Sequence, residues 1–249
     1  MKKLNLTFLA LALACTAADC TPLIVGRTSQ GYLIGTNTKA SDGLKVCKVV
    51  YSHRRVLMLG GEPVALTNVD GSKRTSLFNI HRDLRKIDLA NSTPDAIFQS
   101  VRSIITKDLE SNKQALSEAF HGDPRFMAIL VVEDGPSLQP QIWTEGITFL
   151  RGDLQHPKYT FSQPDLRPGQ ILEIYNLKSF KFPTVATVAT VSAEVIESEL
   201  ERIRQIPHPS APPGDQSFQP PYVIIRLDPE GVKILTAAHG PCAIKQQIR

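Results

Sequence analysis

Two stretches of the chain place apolar residues at helical spacing, and most of the remainder alternates in short runs broken by turns. After Thr93, the residues Ile97, Val101, Ile104, Ile105 and Leu109 recur at steps of three and four, a stripe that must face a core or a sheet. Thr93, Pro94 and Asp95 supply a hydroxyl cap, a proline at the first helical position and an acid near the positive end of the dipole. The pattern predicts a helix running on toward Phe120 and ended by His121, Gly122 and Asp123. A second helix is expected from about Thr187 to Arg204, with Val188, Val191, Val195, Ile196 and Ile203 on one side and Glu194, Glu197, Glu201 and Arg204 on the other.

The strands come in pairs. Pro22 to Arg27 and Tyr32 to Thr36 flank the turn residues Thr28, Ser29, Gln30 and Gly31, so a hairpin sets Thr21 beside Asn37. Lys45 to Tyr51 and Arg55 to Leu59 follow, the second ending at Gly60 and Gly61, a pair read most simply as a turn. Phe126 to Val132 and Gln141 to Gly146 predict a hairpin around Asp134, Gly135 and Pro136. Ile171 to Leu177 reads as a further strand or edge, and Tyr222 to Leu227 with Val232 to Leu235 as a closing pair that needs a larger sheet to join. Glu62 to Asn91 has a turn signal at Asp70 and Gly71 but no clean period, and the proline cluster from Pro207 to Pro221 predicts an extended surface loop. Strand pairs with two one-sided helices predict an α+β fold, a four-layer αββα sandwich spanning residues 21–249 as one domain, after a leader of residues 1–20.

The leader begins with Lys2 and Lys3, continues apolar from Leu4 to Ala14 and contains no acid over that stretch. It is short of the roughly 20 residues a bilayer core requires, so it predicts a signal peptide and an exported, periplasmic or extracellular protein. Cleavage sites fall before Cys15 and before Asp19, and the first resembles a lipoprotein box that would anchor the chain to a membrane through an acylated Cys15. The formal charge of +4 drops by two with Lys2 and Lys3, and no dense Lys/Arg run remains, which argues against nucleic acid as a partner.

Cys15, Cys20, Cys47 and Cys242 allow three pairings, and Cys47 reads equally as a buried small hydrophobe or as bridged to Cys20 or Cys242. No cysteine or histidine spacing fits zinc, the six histidines are scattered, and the G-x-S-x-G, phosphate-loop, G-x-G-x-x-G and H-E-x-x-H patterns are missing. The sequence calls for no cofactor or metal.

The segment TPLIVGRTSQGYLIGTNTKAS resembles the opening hairpin of proteasome beta-type subunits and their N-terminal-nucleophile hydrolase relatives. KVCKVVYSHRRVLMLGG is similar to that family's lysine-bearing strand and the glycine strand behind it, and ILVVEDGPSLQPQIWTEG and YVIIRLDPEGVKIL to its later hairpins. The resemblance implies Thr21 as nucleophile, its own α-amine as proton relay, Lys45 as the tuning lysine, Asn37 at the family's aspartate position, and an N–H of Gly60 or Gly61 as oxyanion donor. It also implies a peptide or small amide as substrate and a homo-oligomer as assembly.

Four features depart from it. Asn37 carries no charge, although Asp42 in the next loop offers one; the Ser-Gly-rich segment of active members is missing, leaving only Ser162 and Asp165; the interval from Gly61 to Thr93 is long; and Thr21 follows Cys20 rather than glycine. Two readings stay open: a hydrolase working through a processed Thr21, and a fold that has lost its chemistry and serves binding or assembly.

Overall fold

The computed structural model describes residues 21–38, 47–70, 73–133, 141–150, 152–174, 184–206 and 220–236. The elements are β1 (Leu23–Arg27), β2 (Tyr32–Asn37), β3 (Val49–Ser52), β4 (Arg55–Glu62), β5 (Ala65–Asp70), β6 (Lys73–Asn79), α1 (Ile80–Leu84), α2 (Pro94–Ser111), α3 (Lys113–Ala119), β7 (Arg125–Val132), β8 (Gln141–Leu150), β9 (Asp153–Ser162), β10 (Gln170–Ile174), β11 (Thr184–Thr187), α4 (Ala193–Gln205), β12 (Tyr222–Asp228) and β13 (Gly231–Ile234). The fold is α+β. Its strands form a six-stranded sheet, β11-β10-β1-β2-β12-β13, a five-stranded sheet, β3-β4-β7-β8-β9, and a separate hairpin, β5-β6, every pair antiparallel.

Alternation along the five-stranded sheet divides its buried side chains between two cores. Val49, Val56, Met58, Met127, Ile129 and Val131 share one with the six-stranded sheet and with Ile196, Leu200 and Ile203 of α4. Val50, Leu57, Leu59, Phe126, Ala128 and Leu130 share the other with Ile97, Phe98, Val101, Ile105 and Leu109 of α2. α4 and the residues leading into it lie on a glycine trough: a Cβ added at Gly26 would come within 2.6 Å of Val191 and 3.0 Å of Ile196, and one at Gly35 within 2.3 Å of Ile196.

α2 starts as the sequence predicts, with Thr93 Oγ1 accepting from the Ala96 N–H at 3.3 Å and Pro94 in the first turn. It stops at Asn112, and the stretch toward Phe120 is the separate α3. The second predicted helix starts later than expected: Thr184–Thr187 is a strand against β10, and α4 begins only after Ser192, whose hydroxyl accepts from the Val195 N–H. Gly60 and Gly61 belong to β4 rather than to a turn. Gly61 takes φ +143° where its added Cβ would meet the Arg125 carbonyl oxygen at 2.3 Å, so only glycine keeps this strand running. The unassigned Glu62 to Asn91 interval contains β5, β6 and α1, and β9 also went unforeseen. Among the described residues no helix is long and apolar enough to cross a membrane, and no group of His, Cys, Asp and Glu side chains could hold a metal ion.

Candidate active site

The opening hairpin fixes the first two groups. Leu23 faces Thr36 in register, so Thr21, two residues earlier, lies at the end of β2 where Asn37 sits. β12 holds that end from the other side, with Tyr222 paired to Asn37 and the Thr38 N–H donating to the Pro221 carbonyl at 2.9 Å.

The third group is Lys48. Its Nζ donates to Thr21 Oγ1 at 3.0 Å and to Asn37 Oδ1 at 2.7 Å. All three residues are buried, Thr21 at 5%, Lys48 at 2% and Asn37 at 0% exposure. A buried ammonium is tolerated only where its protons are bonded, and these two oxygens meet part of that requirement. Lys45, the lysine expected here, lies outside the described residues, as does Asp42. The register gives the reason Lys48 stands at the threonine: β3 and β4 pair Ser52 with Arg55 and Val49 with Met58, and the Leu59 N–H donates to the Lys48 carbonyl at 3.3 Å. Lys48 is thereby aligned with the residue before Gly60.

The two glycines part company. A Cβ at Gly60 would meet the Thr21 Cβ, the Thr21 carbonyl oxygen and the Leu23 side chain, each at 3.3 Å, so Gly60 forms the wall against which the threonine rests. Gly61 turns toward Arg125 and Phe126 of β7 instead. Gly60 is therefore the glycine that lines the candidate nucleophile. Ser162 is engaged elsewhere, its Oγ 2.7 Å from Thr144 Oγ1. Cys47, next to Lys48, is disulfide-bonded, which removes the reading of a free small hydrophobe; its partner lies outside the described residues.

His81, one of the scattered histidines, is 2% exposed in α1, and among the described residues neither ring nitrogen has a hydrogen-bond partner. Burial pushes it down to about 3, helped by the positive charges of Lys48 and Arg85. It is a neutral imidazole within the electrostatic reach of the Lys48 cluster.

Chemically, a hydroxyl, a cation and a side-chain amide meet on a bare glycine wall. This set can orient a hydroxyl and offset negative charge developing near it. In the unprocessed chain the Thr21 nitrogen is an amide bonded to Cys20 and cannot accept a proton.

No protein-family model matches the chain, and no curated protein does. Among solved structures it is similar to a Gly-1 mutant of Anbu from Hyphomicrobium sp. strain MC1, at 12% identity over 88% of each chain with a TM-score of 0.44. It is also similar to Anbu, described as an ancestral beta-subunit, from Yersinia bercovieri, at 9% identity over 88% of each chain with a TM-score of 0.39. Both TM-scores lie below 0.5, and the site assignment rests on neither.

Proposed function

We propose that this chain is an exported, divergent N-terminal-nucleophile hydrolase of amide or peptide bonds, built as a four-layer αββα sandwich. The observation that carries the reading is the contact of Lys48 Nζ with both Thr21 Oγ1 and Asn37 Oδ1 in a buried cluster. The sharing of one core by the two sheets, with helices on their far sides, supports the layer order. The resemblance of the sequence to proteasome beta-type subunits supports the chemistry.

Breaking the Cys20–Thr21 bond starts the activity. The freed α-amine takes the hydroxyl proton as Oγ1 bonds to the substrate carbonyl carbon, whose π electron pair moves onto the oxygen. The proton passes to the departing amine, and water then cleaves the ester on Thr21. Lys48 holds the hydroxyl and offsets the developing charge. Thr21 is nearly covered, so this reading requires the site to open before a carbonyl reaches the hydroxyl.

The second reading, an inert binding or assembly module, is favoured by Asn37, an amide where the resembling family has a carboxylate. Intact mass of the exported protein separates the two. A chain starting at Thr21, with turnover of a peptide panel that Thr21→Ala abolishes, supports the hydrolase; a chain starting at Cys15 or Asp19 with no turnover supports the module.

A further inference from the structure

β9 forms one edge of the five-stranded sheet, and two of its aromatic rings stand in water, Tyr159 at 43% and Phe161 at 50% exposure. Both belong to the side that carries α2. The Arg102 guanidinium carbon lies 4.3 Å from the Tyr159 ring centre, and Phe98 meets Phe161 edge to face at 6.0 Å. Between the helix and the strand is a cleft of about 290 Å³ lined by Asp95, Phe98, Gln99, Arg102 and Phe161. It is about as large as the smallest ligand pockets and suits a single long side chain.

The charge in the cleft is negative on balance. Arg102 donates through both Nε and Nη2 to Glu145, which is fully buried, so its charge is matched. Asp95, in the first turn of α2, is exposed and forms no ion pair among the described residues; its charge reaches Arg102, and its carboxylate is the second negative group beside that one cation. Pro157 and Lys158 guard the middle of the edge against indiscriminate pairing, as edge strands commonly require, but beyond them Tyr159 to Ser162 present an open backbone.

We propose that the α2–β9 cleft docks an extended segment of a partner protein that carries a basic side chain. The segment adds to β9 along Tyr159–Ser162, and its ammonium or guanidinium enters the cleft between the Phe161 ring and the Asp95 carboxylate. Strand addition supplies backbone hydrogen bonds, and the pocket beside the edge reads one side chain in two. A cation is favoured there twice, by the carboxylate and by the aromatic face. An Arg and exposed aromatics over a buried anchor have the composition of an interface centre. The site is independent of Thr21.

The probe is an acetyl- and amide-capped peptide, Thr-Val-Lys-Val-Thr, titrated calorimetrically into the full chain, with Thr-Val-Glu-Val-Thr as control. The lysine peptide should bind about tenfold tighter than the glutamate peptide. Asp95→Lys and Phe161→Ser, both at exposed positions, should each weaken it by about tenfold or more, while Thr21→Ala leaves it unchanged. The proposal is overturned if the lysine peptide shows no binding up to about 1 mM, if both peptides bind alike, or if the two surface variants bind as the parent does. It is also overturned if light scattering finds a dimer that Phe161→Ser converts to monomer, since the occupant is then a second copy of this chain.

Discussion

The molecule sets a cation against buried oxygen atoms in two places and treats it differently in each. Arg102, reaching from α2, meets the carboxylate of Glu145 with two donor nitrogens and lies against the Tyr159 ring. Lys48 meets a hydroxyl and a side-chain amide, Thr21 Oγ1 and Asn37 Oδ1. The first arrangement matches charge with charge in a planar fork and ties a helix to a sheet. In the second, one of the two oxygens bonded to the cation, Thr21 Oγ1, belongs to a group that can itself lose a proton. Matching charge makes a fastening, whereas leaving a hydroxyl in contact with an ammonium makes a place where a proton can move.

The sharpest way to break the comparison is Arg102→Leu. It strands a fully buried carboxylate, so the urea midpoint should fall by the equivalent of about 3–5 kcal/mol. Glu145→Leu should cost clearly less, because Arg102 is about one-third exposed and can turn to water. Equal losses would mean that the pair is not the fastening described.

Next in size is an acid effect through His81. Its folded-state value, pushed down to about 3, lies below the unfolded value of 6.5, so the unfolded chain takes up a proton first as pH falls. Stability is therefore unaffected above pH 6.5 and is lost between 6.5 and 3, at a slope of up to about 1.4 kcal/mol per pH unit. His81→Phe should flatten that limb in urea melts at pH 7, 5 and 4. An unchanged slope would place the acid sensitivity elsewhere.

Lys48→Met leaves the two oxygens without this donor and should lower stability by about 1–3 kcal/mol, while abolishing any turnover shown by processed protein. A variant that keeps its turnover would remove Lys48 from the chemistry. The smallest effect is expected from Asn37→Asp, which places a charge opposite Lys48. Stability should move by about 1 kcal/mol or less, and turnover should rise if the site is a hydrolase held back by its amide. A variant that stays inert after processing favours the assembly module.

Much of this was legible from short-range patterns. The Thr93-Pro94-Asp95 cap, the opening hairpin and the closing strand pair follow from turn chemistry and period, and they already set Thr21 beside Asn37. That Lys48 rather than the expected Lys45 meets Thr21 depended on register, which the bend at His53 and Arg54 fixes: counted back from Gly60, it aligns Lys48 with Leu59. β9 escaped because it is an edge strand with Pro157, Lys158 and exposed rings, so it lacks the alternation that one buried face imposes. β5 and β6 escaped because among the described residues they pair only with each other and take little of their pattern from a large sheet. The fate of the Gly60-Gly61 pair turned on the neighbouring strand β7, a contact far away in sequence.

The glycine trough beneath α4 extends the sensitivity of the nucleophile well beyond its own neighbours. Gly26 and Gly35 sit on the two strands of the hairpin that sets Thr21 beside Asn37, and a methyl at Gly35 would meet Ile196 of the covering helix at 2.3 Å while one at Gly26 would meet Val191 just ahead of it at 2.6 Å. Deep mutational scanning should thus register a loss at these two positions as severe as at the hydroxyl itself, and the trace they share will be of altitude, how near a helix may fly above a sheet, rather than of reactivity.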